Sequence, residues 1–344
     1  MKKRLYIAYT GGTIGMQRTE FGYAPAPGHL EAQMLLLPEL RHPSMPDFDI
    51  HEFEPLLDSS NMTPADWVRI GEDICSHYDE YDGFIVLHGT DTMAYTASAL
   101  PFFLEQLGKP VILTGSQIPL CEIRNDARDH LITAMLIAAE HPMGEVCLYF
   151  NHKLLRGCRA VKVNADGLDA FDSPNYPPLG IVGVDIQIFS DRVMPAQPIA
   201  KTVLTSPKQP AYVGALRLFP GISSEFLRNV LQPPLQGLVL EAYGVGNGPD
   251  RDQGFLEALA EANSRGLVIV DCTQCLRGTV RLGEYATGAS LARAGVISGF
   301  DMTAEAALGK LFALLSQGLT PLEVKQAMAR NLRGELTISV ETAP

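Results

Sequence analysis

The chain has 344 residues, 46% hydrophobic and 19% charged, enough apolar material for one large core or two, and the usual domain size favours two. A formal net charge of -12 sets aside nucleic acid and anionic membrane surfaces, which would repel such a chain at long range, and leaves a small molecule as the expected ligand. No apolar run reaches the length of a bilayer span, and Lys2-Lys3-Arg4 leads into a strand and a glycine loop instead of a secretory leader, so the expected location is the cytoplasm.

Leu5 to Ala8 reads as a buried strand of a parallel sheet. It runs into Tyr9-Thr10-Gly11-Gly12-Thr13-Ile14-Gly15, whose glycines permit a sharp turn and close approach to a ligand. The loop lacks the lysine of a Walker loop and the glycine spacing of a dinucleotide site, so what it presents at the strand's carboxyl end is the hydroxyl of Thr13. Met16 to Gly28 carries glycine and proline around Tyr23 and reads as a mobile hairpin. Tyr23 is either a half-buried turn aromatic or a residue that folds over a ligand.

A helix over 29–37 and a strand over 48–53 precede Asp58-Ser59-Ser60-Asn61, a polar loop expected at the same sheet edge. Thr63-Pro64-Ala65-Asp66 predicts a helix start, with Trp67, Ile70, Ile74 and Tyr78 as its core stripe. Strand 84–87 ends in His88-Gly89-Thr90-Asp91-Thr92. A helix over 94–106 and strand 111–113 follow, then Thr114-Gly115-Ser116-Gln117, helix 126–140 and strand 146–150. Past Phe150 the elements shorten, with a strand at 160–163 that carries Lys162.

This alternation implies an α/β protein: a larger N-terminal domain with a doubly wound, mostly parallel sheet, and a smaller C-terminal α/β domain. The expected boundaries are 1–193 for the first domain, a proline-rich linker over 194–210, and 211–344 for the second. Strands near 212–216, 237–240 and 267–270 and helices near 223–231, 255–262, 304–315 and 321–329 make up the second. Six scattered cysteines argue for reduced thiols; Cys272-Thr273-Gln274-Cys275 has metal or redox spacing but no second pair to complete a site.

The polar tips bring together the hydroxyls of Thr13, Ser59, Ser60, Thr90 and Ser116, the carboxylate of Asp91 and the amine of Lys162. A hydroxyl needs a base at neutral pH, and lysine can serve as one when burial lowers its pKa, a Thr-Lys-Asp set poising the amine between a hydroxyl and a carboxylate. On residues alone Lys162 equally reads as a strand-end lysine paired with a surface acid, and Asp91 as the cap of the following helix. His88 reads as a packed, hydrogen-bonded histidine.

Thr-Gly-Gly-Thr-Ile-Gly at 10–15 together with His-Gly-Thr-Asp-Thr at 88–92 resembles the bacterial-type L-asparaginases. The match continues through Thr114-Gly115-Ser116, Lys162 to Gly167, Gly244 to Asn247 and Asp301 to Ala306, and Asp58-Ser59-Ser60 with Asp-Met-Thr resembles the cytoplasmic type I branch. The resemblance implies hydrolysis of L-asparagine to L-aspartate and ammonia with no metal or organic cofactor. It implies Thr13 as nucleophile, Thr90, Asp91 and Lys162 as a second catalytic set, and Tyr23 lying over Thr13. Asp58, Ser59, Ser60, Thr90, Asp91 and Ser116 would hold the substrate, and the chain would form a homotetramer whose Gly244–Gly248 loop reaches a neighbour's site. Some type I members bind a second asparagine through an arginine and a threonine; the matching positions here are Glu241 and Val161, with Cys275 retained, so saturation is expected to be hyperbolic. The alternatives are a glutaminase-asparaginase and a non-catalytic amino-acid sensor.

Overall fold

The computed structural model describes residues 2–20, 22–197, 202–284 and 286–337, and the chain divides into two compact units, 1–205 and 206–344. In the first, β1 (Arg4–Gly11) leads through a one-turn helix (Thr13–Gly15) into a hairpin, β2 (Met16–Thr19) and β3 (Gly22–Pro25). Then come α1 (His29–Leu36), β4 (Asp47–Leu57), α2 (Pro64–Ser76), β5 (Gly83–Leu87), α3 (Met93–Phe103) and β6 (Leu104–Glu105). β7 (Val111–Thr114), α4 (Ala127–Glu140), β8 (Val146–Phe150) and β9 (Lys153–Arg156) follow. The unit closes with β10 (Val161–Lys162), β11 (Phe171–Asp172), β12 (Gly180–Val182), β13 (Ile186–Ile188) and β14 (Val203–Leu204).

The main sheet has eight strands in the order β13-β12-β9-β8-β7-β5-β1-β4. From β8 to β4 every pairing is parallel, and these five strands, numbered by their place in the chain, stand in the order 2-1-3-4-5. The chain therefore crosses to the other side of β1 when it reaches β5, and the carboxyl ends of those two strands form the topological switch point where such sheets bind ligands. Alternate residues of each strand feed two cores. Leu5, Ile7, Tyr9, Ile85, Leu87 and Ile112 pack with α1 and α4 on one face. Tyr6, Ala8, Phe84, Val86 and Leu113 pack with α2 and α3 on the other. Burial on both faces is why these strands read as unbroken apolar runs.

Helix α2 begins as expected: the Thr63 N–H and hydroxyl donate to Asp66, and Trp67, Ile70, Ile74 and Tyr78 are buried. Helix α3 stops earlier than the sequence suggests. Leu104 and Glu105 pair with Val203 and Leu204 instead of continuing the helix, and Gln106 takes a positive φ of 56°. The antiparallel extension β9, β12 and β13 was not anticipated either; it starts at Asn151-His152, both at positive φ, as a tight two-residue hairpin requires.

The second unit holds a four-stranded parallel sheet, β15 (Val213–Arg217), β16 (Gly237–Ala242), β17 (Val268–Thr273) and β18 (Ile297–Ser298), in chain order. Its helices are α5 (Ser224–Val230), α6 (Gln253–Ser264), α7 (Ala286–Arg293), α8 (Ala304–Ser316) and α9 (Pro321–Met328). Ser223, Asp252, Thr303 and Thr320 each cap a helix by accepting a backbone N–H. Leu238, Leu240 and Ile269 pack with Leu227, Phe255, Leu259 and Leu291 on one face. On the other, a Cβ at Gly237 would lie 2.7 Å from Leu311 of α8. Of the stretch 194–210, residues 198–201 lie outside the described residues; Val203–Leu204 joins the first unit's β6, and the Lys208 and Gln209 N–H groups donate to the Ser316 carbonyl in the second. Among the described residues no helix is long and apolar enough to cross a membrane.

Candidate active site

Four loops converge at the switch point because their backbones fit against one another with no room for side chains. Gly11 and Gly12 take φ of 130° and 92°, which turns the chain off β1 and starts the one-turn helix at Thr13. A Cβ on Gly12 would fall 2.4 Å from the Cα and N of Gly89. A Cβ on Gly89 would in turn fall 2.5 Å from the Ser59 hydroxyl, and one on Gly115 would fall 2.3 Å from the His88 carbonyl. The loops that carry Thr13, Ser59, Thr90 and Ser116 are thus held in direct contact. Thr10 strengthens the junction, its hydroxyl donating to the Leu87 carbonyl at 2.9 Å, and the Leu120 N–H donates to the Ile14 carbonyl at 3.0 Å.

Thr90, Asp91 and Lys162 form one bonded group. The Lys162 ammonium donates to Asp91 Oδ1 at 2.7 Å and to Thr90 Oγ1 at 3.1 Å. The lysine side chain is 19% exposed and the Asp91 side chain 65%, so the carboxylate has a free side toward solvent while the amine is largely enclosed. The Thr90 hydroxyl donates to Gln117 Oε1 at 3.1 Å. Gln117 is itself fixed: its amide NH2 donates to the carbonyls of Ala165 and Gly167, and its backbone N–H and that of Ile118 donate to the two oxygens of Asp126. With both amide protons committed to the 165–167 turn, only the oxygen can face Thr90. Thr13 is half-buried, and its hydroxyl makes no hydrogen bond among the described residues.

The arrangement pairs one unencumbered hydroxyl, on a rigid glycine turn, with a second hydroxyl that touches a lysine and a carboxylate. Chemically, such an arrangement can serve as a nucleophile beside a proton-transfer set. His88 takes no part: it is buried, its ring bonded to the Gly89 carbonyl and the Thr96 hydroxyl, and burial pushes its pKa down to about 4. Among the described residues no group of three or more His, Cys, Asp or Glu is placed to hold a metal ion.

Residues 4–194 match the family model described as Asparaginase, N-terminal, and residues 212–328 match the Glutaminase/Asparaginase C-terminal domain. The chain belongs to the asparaginase family. It is 55% identical to L-asparaginase 1 of Escherichia coli strain K12, over 98% of both chains. It is 45% identical to a protein named 60 kDa lysophospholipase from Mus musculus, over 98% of this chain and 63% of that one. The structure of L-asparaginase I from Vibrio cholerae superposes with a TM-score of 0.91 at 49% identity, covering 98% of this chain and all of the other. The two-domain α/β architecture of the asparaginase family is the one described above.

Other residues singled out in the sequence stand as follows in this asparaginase-family chain. Asp58 caps the short turn 59–61, its Oδ1 accepting from the N–H and hydroxyl of Ser60, so both Ser60 donors are committed to Asp58. Ser59 is buried beneath Gly89, and its carbonyl accepts from Thr92. Ser116 is buried with its hydroxyl on the Ile118 carbonyl. Asp91 does not cap α3; Thr92 occupies the cap position. Tyr23 is 45% exposed, and its hydroxyl donates to Glu122 at 2.7 Å, which raises its pKa. In the second unit, the Arg217 guanidinium lies 3.2 Å from Glu241 on the neighbouring strand. Gln117 and Asp126 were missed. The available signal was the position of Gln117 at the tip after β7, with an acid nine residues on to hold its backbone.

Proposed function

We propose that this chain hydrolyses L-asparagine to L-aspartate and ammonia, with Thr13 as nucleophile and Thr90, Asp91, Lys162 and Gln117 as the proton-transfer set. The observation that carries the reading is the bonded group Lys162–Thr90–Asp91 at the switch point, one glycine contact away from the Thr13 turn. The exposed side of Asp91 accepts the substrate's α-ammonium. That new cation competes with Lys162 for the carboxylate and turns the amine toward Thr90. Ser59 and the backbone amides near Thr90 receive the α-carboxylate, and Ser116 lies at the side-chain amide.

Thr13 Oγ attacks the amide carbon while its proton passes to the leaving nitrogen. The C–N bond breaks, ammonia departs and a β-aspartyl ester remains on Thr13. The developing oxyanion lies near the N–H groups that open the turns at Thr13 and Thr90. Thr90, with its proton held by Gln117 and its lone pair by Lys162, rotates to accept from a water, which attacks the ester and returns the proton to Thr13. Tyr23, on the hairpin after Thr13, closes over the substrate when its hydroxyl leaves Glu122.

Six free cysteines, with Cys121 and Cys275 exposed, fit a reducing cytoplasm, and the loop at 243–248, closed by the Tyr243–Asn247 bridge, fits reach toward a neighbouring subunit in a homotetramer. Ammonia release tests the reading. Asparagine should be turned over well above glutamine, the two differing by one methylene worth roughly 1 to 3 kcal/mol. Specific activity should fall on dilution below the tetramer's dissociation range. Binding of asparagine or aspartate without ammonia release would identify a sensor instead.

A further inference from the structure

Beneath the Thr13 turn lies a pair of buried polar atoms that the reaction scheme does not use. Tyr9 is the last side chain of β1 on the α1 face, is fully buried, and its hydroxyl has no hydrogen-bond partner among the described residues. That hydroxyl forms the floor of the turn: a Cβ on Gly15 would lie 2.1 Å from it. Directly across the parallel pairing stands Glu52 of β4, and residues paired in this way project to the same face. One Glu52 oxygen accepts from the Gly28 N–H at 2.7 Å; the other is buried and unpartnered. Gly28, at φ 70°, is where the hairpin β2–β3 hands over to α1. A donor with no acceptor and an acceptor with no donor, side by side out of water, are each unfavourable until they meet.

We propose that the Tyr9 hydroxyl and the free oxygen of Glu52 form a hydrogen bond in the substrate-bound enzyme that fixes the Thr13 turn to the base of the hairpin, making Tyr9 and Glu52 positioning residues for the nucleophile. This rests on Thr13 being the nucleophile. The bond runs from the floor under Gly15 through Glu52 to Gly28, so movement of the hairpin root is transmitted to the turn that aims Thr13. Neither residue touches the substrate, and their effect falls on the chemical step and not on binding.

Tyr9→Phe, which removes only the hydroxyl, should lower kcat about tenfold, in line with the sensitivity of reaction rate to sub-ångström misplacement, with KM within about twofold. Glu52→Leu, which also gives up the bond from the Gly28 N–H, should lower kcat at least as much, and the double variant should be no worse than Glu52→Leu alone, since the bond to Tyr9 is already lost in it. Glu52→Gln keeps its oxygen on Gly28 and offers its NH2 to Tyr9, so it should retain most of kcat. Thr13→Ala, measured alongside, should be inactive. If Thr13→Ala is inactive while Tyr9→Phe has wild-type kcat and gains thermal stability, the hydroxyl is a mere unsatisfied group and the pairing is overturned. If Thr13→Ala still turns over, the assignment of the nucleophile itself fails. Effects of Tyr9→Phe and Glu52→Leu that multiply in the double variant would also overturn the pairing.

Discussion

Gly12 and Gly89 matter because a Cβ on Gly12 would fall 2.4 Å from the Gly89 backbone and one on Gly89 would fall 2.5 Å from the Ser59 hydroxyl, so a side chain at either would force apart the loops that carry Thr13, Ser59 and Thr90. The glycines and threonines of the two tips were legible because short glycine-flanked polar runs after apolar strands have few other uses. Lys162 was ambiguous, since in the sequence a proton-transfer lysine and a strand-end lysine paired with an acid look alike; in the structure it bonds both Thr90 and Asp91. Gln117 was not legible, since its role depends on the 165–167 carbonyls that hold its amide, and those come from a turn about fifty residues further on. A second buried group gives a test of the residue chemistry away from the site. Asp271 on β17 is fully buried with both oxygens unpartnered among the described residues, and burial pushes its pKa up to about 8. Its folded value lies above the unfolded one, so the folded chain keeps a proton that the unfolded chain releases. Stability from this group is complete below the ordinary carboxyl range and is lost as pH rises toward 8. Asp271→Asn should therefore raise the melting temperature at pH 9, by an amount on the order of a few kcal/mol of stability, and change little at pH 4. Equal effects at both pH values in thermal melts would contradict the buried, protonated carboxyl.

At the level of elements, the strands buried on both faces and the capped helices were readable from apolar runs and cap residues. The hairpin strands β9, β12 and β13 were not: each has only three or four residues, too few for a period to show, and their pairing is set by contacts with β8 and with one another. The early end of α3 escaped for a similar reason, because Leu104 and Glu105 are as acceptable in a helix as in the pair they make with β14. The ends of β15 and β16 carry a further consequence. Arg217 and Glu241 stand opposite each other in register and make an ion pair, so the acid at 241 is already partnered by a cation of its own protein. An effector α-carboxylate there would have to displace it. Initial-rate curves should accordingly be hyperbolic in asparagine, with a Hill coefficient near 1. A sigmoidal curve that Glu241→Ala or Cys275→Ala abolishes would show a regulatory site in altered form.

For the molecule as a whole, the two α/β units match the N- and C-terminal models of one family over almost the entire chain. The sheet order of the first unit explains why the chemistry collects where it does. A chain that winds outward from β1 in one direction, returns past it and winds in the other leaves its two glycine turns adjacent, and the later turn at 161–167 closes the group from the third side. Everything then depends on which hydroxyl carries the acyl group. The direct test is to mix asparagine with the Thr90→Val variant, quench in acid, and locate the added aspartyl group by peptide mass spectrometry. Under the proposed scheme Thr90→Val keeps the Thr13 hydroxyl but lacks the one that would direct water, so the ester should accumulate, and the aspartyl group should be found on Thr13. Modification at another residue, or steady hydrolysis by Thr90→Val with no acyl-enzyme formed, would contradict the assignment.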